Sequence, residues 1–275
     1  VLRNVLFLMA KDMNMRNHLL RRLLKANLFV PAFAYNRRLD ARLWDSNLRL
    51  RTMPSNSLQM IVWHYIAYMQ NAGLPIDDND IVDIFLHGST SNYYYDDTSD
   101  IDICIVMDVE RLSAVLRGIN IYTITKALQI AWMRKHKIRI YGRGVDISIV
   151  DVRQPKYGPD VYKVGPAYSL PRDVWLRRPV RIEDKEIRVL RRRAREIYRR
   201  YRRLFRECYK NNMSDTYLDT FLSRLWSERR DAYDRAPLQP ITPETMAFRM
   251  MRRCGILNKI KERMDRIRNK NFTLT

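Results

Sequence analysis

Asp100 and Asp102 stand two residues apart inside a β-branched run, Asp100-Ile-Asp-Ile-Cys-Ile-Val-Met107. On a strand, residues i and i+2 share a face, with Cα atoms roughly 6–7 Å apart. Both carboxylates can then reach the same ions, whereas neighbours at i and i+1 would point to opposite faces. Partly buried like charges repel each other, and a hard cation such as Mg²⁺, which prefers carboxylate oxygens, resolves that conflict. Upstream, Phe85-Leu-His-Gly88-Ser89 closes a short apolar strand on a bend. A glycine there lets backbone approach a phosphate closely, and Ser89 offers an amide and a hydroxyl. His87 reads as a hydrogen-bonded bystander rather than an acid–base group.

A third carboxylate is expected from a neighbouring strand, and strand parity chooses between two candidates. Ile101, Ile103, Ile105 and Met107 form one face of the first run, and Asp100, Asp102 and Cys104 form the other. In the later run Val145, Ile147 and Ile149 form the matching apolar face, which leaves Asp146 and Ser148 on the polar one. Asp151 falls on the apolar side, so Asp146 is the candidate.

Several elements must position these groups. Ser57–Gln70 reads as a largely buried helix ending near Gly73-Leu74-Pro75, and Asp83–Leu86 as a short strand,. After the tyrosine-rich loop 90–98, whose Tyr93, Tyr94 and Tyr95 read as packed or lid-like, Asp100–Met107 reads as a strand. Ser113–Arg117 and Thr123–Lys135 read as helical. Lys137–Tyr141, Gly142-Arg143-Gly144 and Val145–Val150 read as strand, turn, strand. Further on, the spacing predicts helices over Glu183–Lys210, Asp215–Ala232 and from Pro243 to about Asn269. In the first of these Ile187, Ala194, Tyr201 and Cys208 recur at sevens, with Leu190, Ile197 and Leu204 between.

A strand ending in Gly88-Ser89, ten further residues, Asp100-Ile-Asp102-Ile, then a lone acid between apolar residues resembles the signature of the DNA polymerase beta-like nucleotidyltransferase superfamily. Arg42-Leu-Trp44-Asp45, the helix to Gln70, and residues 88–108 look like the predicted nucleotidyltransferases encoded by tailed bacteriophages. Tyr168-Ser-Leu with Trp175 and Pro179 is similar to the segment that follows the third acid in those proteins. The resemblance covers roughly residues 40–180. It implies an α+β fold with a mixed β-sheet nucleotidyltransferase-like core, flanking helices and a nucleoside triphosphate substrate. It also implies two Mg²⁺ ions on Asp100, Asp102 and Asp146, with Gly88 and Ser89 on the β- and γ-phosphates. The acceptor is left open, because the superfamily includes polymerases, tailing enzymes, protein-modifying members and inactive relatives.

Charge points to a partner. The 275 residues carry 51 Lys+Arg against 30 Asp+Glu, a net charge of +21. Most of the cations are arginine, whose planar fork suits phosphate. The excess is concentrated after residue 150, while Thr52–Glu110 holds no Lys or Arg at all. In that acidic stretch Asp77, Asp78 and Asp80, beside Pro75, read as turn residues. Over residues 181–210, 13 basic residues face 5 acidic ones. An ordinary solvated helix mixes Glu with Lys for i,i+4 support, so this excess implies a polyanion. Arg188, Arg191, Arg192, Arg195, Arg199, Arg202 and Arg203 are the candidate nucleic-acid contacts. Two domains are expected: residues 1–180, the catalytic-type domain with N-terminal helices, and residues 181–275, an Arg-rich helical region.

Cys104, Cys208 and Cys254 lie far apart without a CxxC pair, which argues against a disulfide framework or structural zinc and for a reducing compartment. Apolar runs such as Ile61–Met69 are too short to span a membrane. Val1–Ala10 lacks a basic run and a small-residue cleavage site, so it does not read as a secretory signal. The expected location is cytoplasmic, meaning host cytoplasm or virion for a viral protein. Two functions compete: a Mg²⁺-dependent nucleotidyltransferase with a nucleic acid ahead of a protein as acceptor, and a catalytically silent relative that binds nucleic acid in a larger assembly such as a virion or ribonucleoprotein. A toxin-like enzyme that attaches AMP to a protein fits the same motif.

Overall fold

The computed structural model describes residues 33–117, 120–153, 165–210, 214–235 and 241–271. The N-terminal helices expected before residue 33 lie outside the described residues. The chain divides into two compact units: Ala34–Ile187 with Arg230–Thr242, and the remainder of the described chain.

The first unit is built on a six-stranded mixed sheet. Its helices are α1 (Thr52–Asn71), α2 (Val109–Val115) and α3 (Ile121–Lys135). Its strands are β1 (Ile81–His87), β2 (Ile101–Met107), β3 (Arg139–Ile140), β4 (Arg143–Asp151), β5 (Ala167–Ser169) and β6 (Val174–Arg177), in the order β3-β4-β2-β1-β5-β6. β2 and β4 run parallel, and the other pairs are antiparallel. A parallel pair needs a long crossover, and α2, α3 and β3 supply it.

Period-2 patterning decides which face is covered. Ile101, Ile103, Ile105 and Met107 of β2 are all fully buried, in one core with Ile84 and Leu86 of β1, Val145 and Ile147 of β4, and residues of α1, α2 and α3. Each such side chain contributes roughly 1.5–3 kcal/mol of burial. Phe85, Cys104, Val106, Val150 and Ala167 form a smaller cluster on the opposite face. Burial pushes the Cys104 thiol up to about 12.

The unit's outer segments meet through aromatic rings. Trp44 stacks on Trp175 at 4.6 Å between centroids, and Tyr168 packs edge-on against both at 5.1 Å. Trp175 Nε1 donates to Leu48 O at 2.6 Å, and Trp44 Nε1 donates to Thr90 O at 2.8 Å. The acidic turn 77–80 is a capped 3₁₀ turn. Asp77 Oδ1 accepts from Asn79 N and Asp80 Oδ2 from Asp77 N, while Arg111 bridges both carboxylates.

Several boundaries differ from the sequence reading, among them the β3–β4 turn and the helix from Pro243. The β3–β4 turn is Tyr141-Gly142, both at positive φ (50° and 78°), the two-residue geometry that matches strand twist. Arg143 is therefore the first residue of β4 and not part of the turn. The single helix expected from Pro243 is two, Pro243–Arg253 and Ile256–Asn271, interrupted at Cys254-Gly255 with Gly255 at φ +71°.

Those two are α6 and α7. They follow α4 (Asp184–Lys210) and α5 (Asp215–Arg235). In the second unit Leu190, Ala194, Tyr198 and Tyr201 form the buried edge of α4. Tyr198, not Ile197, continues the edge, because a straight helix drifts away from a strict seven-residue repeat. Tyr201 packs edge-on against Phe221 at 5.6 Å, Trp226 lies 4.6 Å from Phe248, and Tyr198 Oη shares a hydrogen bond with Cys254 Sγ at 3.1 Å. No helix of the described residues is long and apolar enough to cross a membrane.

Candidate active site

The parallel register of β2 and β4 sets Asp102 directly beside Asp146, and the antiparallel register of β1 and β2 sets His87 on the other side of Asp102. His87, Asp102 and Asp146 thus form a row across three strands, on the face opposite the helices. Adjacent strands lie about 4.8 Å apart. Asp102 is half-buried and Asp146 exposed. Asp100, also half-buried, precedes β2 by one residue. Asp151 pairs with Met107, one residue out of phase with the acidic row.

Glycines shape the floor beside the acids. Gly88 has φ +76°, and a Cβ there would fall 1.9 Å from Asp102 Oδ2. Only a residue without a side chain leaves room for that carboxylate. On the other flank, a Cβ on Gly144 would fall 3.1 Å from Asp100 Oδ1. The Asp102 and Asp100 carboxylates therefore lean to opposite sides of β2, toward β1 and β4 respectively. Asp146 Oδ1 accepts from Gln129 Nε2 of α3 at 3.4 Å. The same amide group donates to Ile147 O, and Gln129 Oε1 accepts from Lys126 at 2.8 Å.

Among the described residues, no three His, Cys, Asp or Glu side chains are drawn close enough together to hold a metal ion. The donor set nevertheless fits a hard cation in kind: three carboxylates of neighbouring strands on one sheet face, two beside glycines that keep the surface low.

The Gly88 bend is a packed loop. Ser89, Thr90, Ser91 and Asn92 are all buried. Asn92 N donates to Ser89 O at 3.1 Å, and Thr90 Oγ1 to Asp100 O at 3.4 Å. Ser91 Oγ and Asn92 Nδ2 are buried and have no hydrogen-bond partner among the described residues. The tyrosine loop is packed too, with Tyr94 buried and the carbonyls of Tyr93 and Tyr95 held by Asn36 Nδ2. Burial pushes the His87 imidazole down to about 4, so it is neutral at ordinary pH.

Sequence reasoning missed Arg143. Its guanidinium is buried, with Nε donating to Asp40 Oδ2 at 2.9 Å and Nη1 to Ser99 O at 2.9 Å and Asp96 O at 2.5 Å. Burial alone would raise the Asp40 carboxyl, but hydrogen bonds from Arg42 and Arg143 outweigh it and hold the group below the usual carboxylate range. The available signal was the apolar alternation of Val145, Ile147 and Ile149, which extends back to put Arg143 in phase with the buried positions.

On α4, Arg188, Arg192, Arg195, Arg199 and Arg203 are exposed. Two of the predicted contacts are placed otherwise. Arg202 is buried, its guanidinium 6.0 Å from the Tyr198 ring, and Arg191 is half-buried and donates to Phe33 O at 3.1 Å.

Residues 76–201 match the family model described as the nucleotidyltransferase domain. The matched stretch is a little under half of the chain and contains all six strands, the Gly88 bend and the three acids. It is similar to a domain whose general chemistry is transfer of a nucleoside monophosphate, and the mixed α+β sheet is consistent with such a core. No curated protein and no solved structure matches the chain.

Proposed function

We propose that this protein is a divalent-metal-dependent nucleotidyltransferase that moves a nucleoside monophosphate from a nucleoside triphosphate to a hydroxyl acceptor, with a nucleic acid favoured over a protein. The observation that carries this reading is the in-register placement of Asp102 beside Asp146 on parallel strands, flanked by Asp100 and the Gly88 bend. Asp100, Asp102 and Asp146 are the residues that would hold two Mg²⁺ ions. Bound Mg²⁺ supplies charge neutralisation for the triphosphate and a lowered pKa for the attacking hydroxyl. Gly88 and Ser89 bind the β- and γ-phosphates through backbone amides. Asp146, the most exposed of the three acids, orients the acceptor hydroxyl and takes its proton. The acceptor oxygen bonds to the α-phosphorus as the bond to the bridging oxygen breaks, and pyrophosphate leaves. Most of the rate enhancement is then positioning and charge stabilisation.

The nucleic-acid preference is supported by α4. Its exposed Arg188, Arg192, Arg195, Arg199 and Arg203 recur at spacings of three and four residues, so they form one stripe about 22 Å long at 1.5 Å rise per residue. A second reading, a catalytically silent relative that binds nucleic acid within a virion or ribonucleoprotein, draws on the same arginine excess, 13 basic residues against 5 acidic over residues 181–210.

The test incubates the protein with each labelled nucleoside triphosphate, Mg²⁺ or Mn²⁺, and RNA, DNA or protein acceptors, beside an Asp100→Ala/Asp102→Ala control. Transfer to a nucleic acid that disappears in the control supports the enzyme. Salt-sensitive RNA or DNA binding without transfer under any condition selects the silent reading. Label on protein alone would replace the nucleic-acid acceptor.

A further inference from the structure

Asp100 lies outside β2, at the end of a loop, yet the reading above requires its carboxylate to be held in place. Thr90 Oγ1 donates to Asp100 O at 3.4 Å, a long and therefore weak hydrogen bond. The stronger tie comes from the strand opposite. Arg143 opens β4 and is 3% exposed; its Nη1 bonds to both Ser99 O and Asp96 O, the carbonyls that bracket the turn leading into Asp100. That turn is also closed on itself, by Ser99 N to Asp96 O at 3.1 Å and Asp96 N to Ser99 Oγ at 2.9 Å. A buried guanidinium needs a counter-charge, and Asp40 provides it through Arg143 Nε at 2.9 Å and Nη2 at 2.7 Å. The next residue of β4 is Gly144, against which the Asp100 carboxylate rests.

We infer that the buried Arg143–Asp40 pair is a positioning device for Asp100: the guanidinium fork fixes the 96–99 turn to the head of β4, and so sets where the Asp100 carboxylate stands beside Asp102 and Asp146. This inference rests on the proposed metal-dependent reading of the site. Arg143 and Asp40 act through Asp100 and touch no reacting group. The fork is what matters, because two carbonyls and a carboxylate must be bound at once, which a lysine ammonium does with poorer geometry.

Two readouts test it on the full chain. The first is amide hydrogen exchange over residues 96–101, and the second is Mn²⁺ binding followed by the loss of the free-ion paramagnetic resonance signal. The variants are Arg143→Lys and Arg143→Met/Asp40→Leu, the latter leaving no unpaired buried charge, with Asp100→Asn as reference. We expect faster exchange confined to the 96–101 turn in both variants. Mn²⁺ affinity should fall about tenfold or more, the usual scale for losing a group that orients a ligand. Added to Asp100→Asn, the double substitution should produce no further loss, since both act through one carboxylate. Unchanged exchange in a folded Arg143→Lys protein overturns the inference, as does a Mn²⁺ loss that adds in full to that of Asp100→Asn. If the double variant fails to fold, Arg143→Lys decides alone. A wild-type chain that binds no Mn²⁺ overturns the metal reading of the site instead, and the exchange rates then decide whether the pair holds the turn.

Discussion

A short series of glycine-to-alanine substitutions separates backbone strain from displacement of the Asp102 carboxylate. Gly88 has φ +76°, and an L-residue held in that left-handed region pays about 1–2 kcal/mol. Its added Cβ would also stand 1.9 Å from Asp102 Oδ2 and 2.8 Å from Cγ. Real Cβ contacts stay above 3.0 Å, so the carboxylate must retreat by roughly 1 Å, the difference between 1.9 and 3.0 Å. On the proposed ion-holding role of Asp102, a misplacement of about 1 Å costs on the order of 10²-fold in rate. Gly142→Ala is the strain control: φ is +78°, yet nothing lies within 4 Å of the new methyl. Gly144→Ala is the complementary control. It lacks the positive φ, and its Cβ would lie 3.1 Å from Asp100 Oδ1, which asks the carboxylate to give by only a few tenths of an ångström. Urea denaturation should therefore show Gly88→Ala and Gly142→Ala destabilised by similar amounts, about 1–2 kcal/mol each. The nucleotide-transfer rate should collapse in Gly88→Ala, stay near wild type in Gly142→Ala, and fall modestly in Gly144→Ala. A Gly88→Ala protein whose transfer rate matches that of Gly142→Ala would refute the view that this glycine exists to make room for Asp102.

Two further outcomes are expected elsewhere in the chain. Burial alone would raise the Asp80 carboxyl, but hydrogen bonds from Arg111 and the Asp77 amide hold it below its ordinary value. Its stabilising effect is therefore present above the unfolded value of about 3.9 and lost as pH falls through the lower folded value. The urea midpoint should drop as pH is taken below about 4, and the drop should be shallower in Asp80→Asn; equal slopes would contradict the assignment. On α4, converting Arg188, Arg192, Arg195, Arg199 and Arg203 to Gln should flatten the dependence of log K on log salt by about 0.7 per residue for single strands and 0.9 for duplex DNA. Filter binding across a salt series measures this, and an unchanged slope would remove the stripe as the phosphate contact. Arg202→Gln, being buried, should change stability and leave the slope alone.

The β2–β4 relation is legible from sequence because a strand has a period of two and offers only two phases. Once Ile101, Ile103 and Ile105 are assigned to the core, Val145 and Ile147 must join them, and Asp102 and Asp146 are left to share the other face. The structure places them in that register. Although Met60 and Trp63 of its apolar run are exposed and Leu58, Ile61, Val62, Tyr65, Ile66 and Met69 form its buried face, helix α1 is legible as an element. Its first turn is not. Thr52, Met53 and Ser55 carry no apolar periodicity, and Pro54, acceptable in a first helical turn, reads as a loop residue in isolation. The directions in which the carboxylates lean are beyond pattern reasoning altogether, because a rotamer is chosen by neighbours such as Gly88, Gly144 and Gln129 that lie far away in the chain.

Arg143 shows how one residue of phase reverses a side chain's role. Gly-Arg-Gly invites a turn with the arginine at its tip, exposed and dispensable. Moving the turn back to Tyr141-Gly142 puts the same arginine in the strand, and because side chains alternate along a strand, that shift takes it from solvent to interior. A buried guanidinium is tolerated only with a counter-charge and satisfied donors, so the phase shift also creates a demand for Asp40 and for the carbonyls of Asp96 and Ser99. Those three positions look unrelated in sequence, one near the start of the described chain and two in the loop before β2. The turn geometry of a two-residue hairpin is thereby coupled to where the Asp100 carboxylate stands, through a single charged side chain that reads as surface until the register is known.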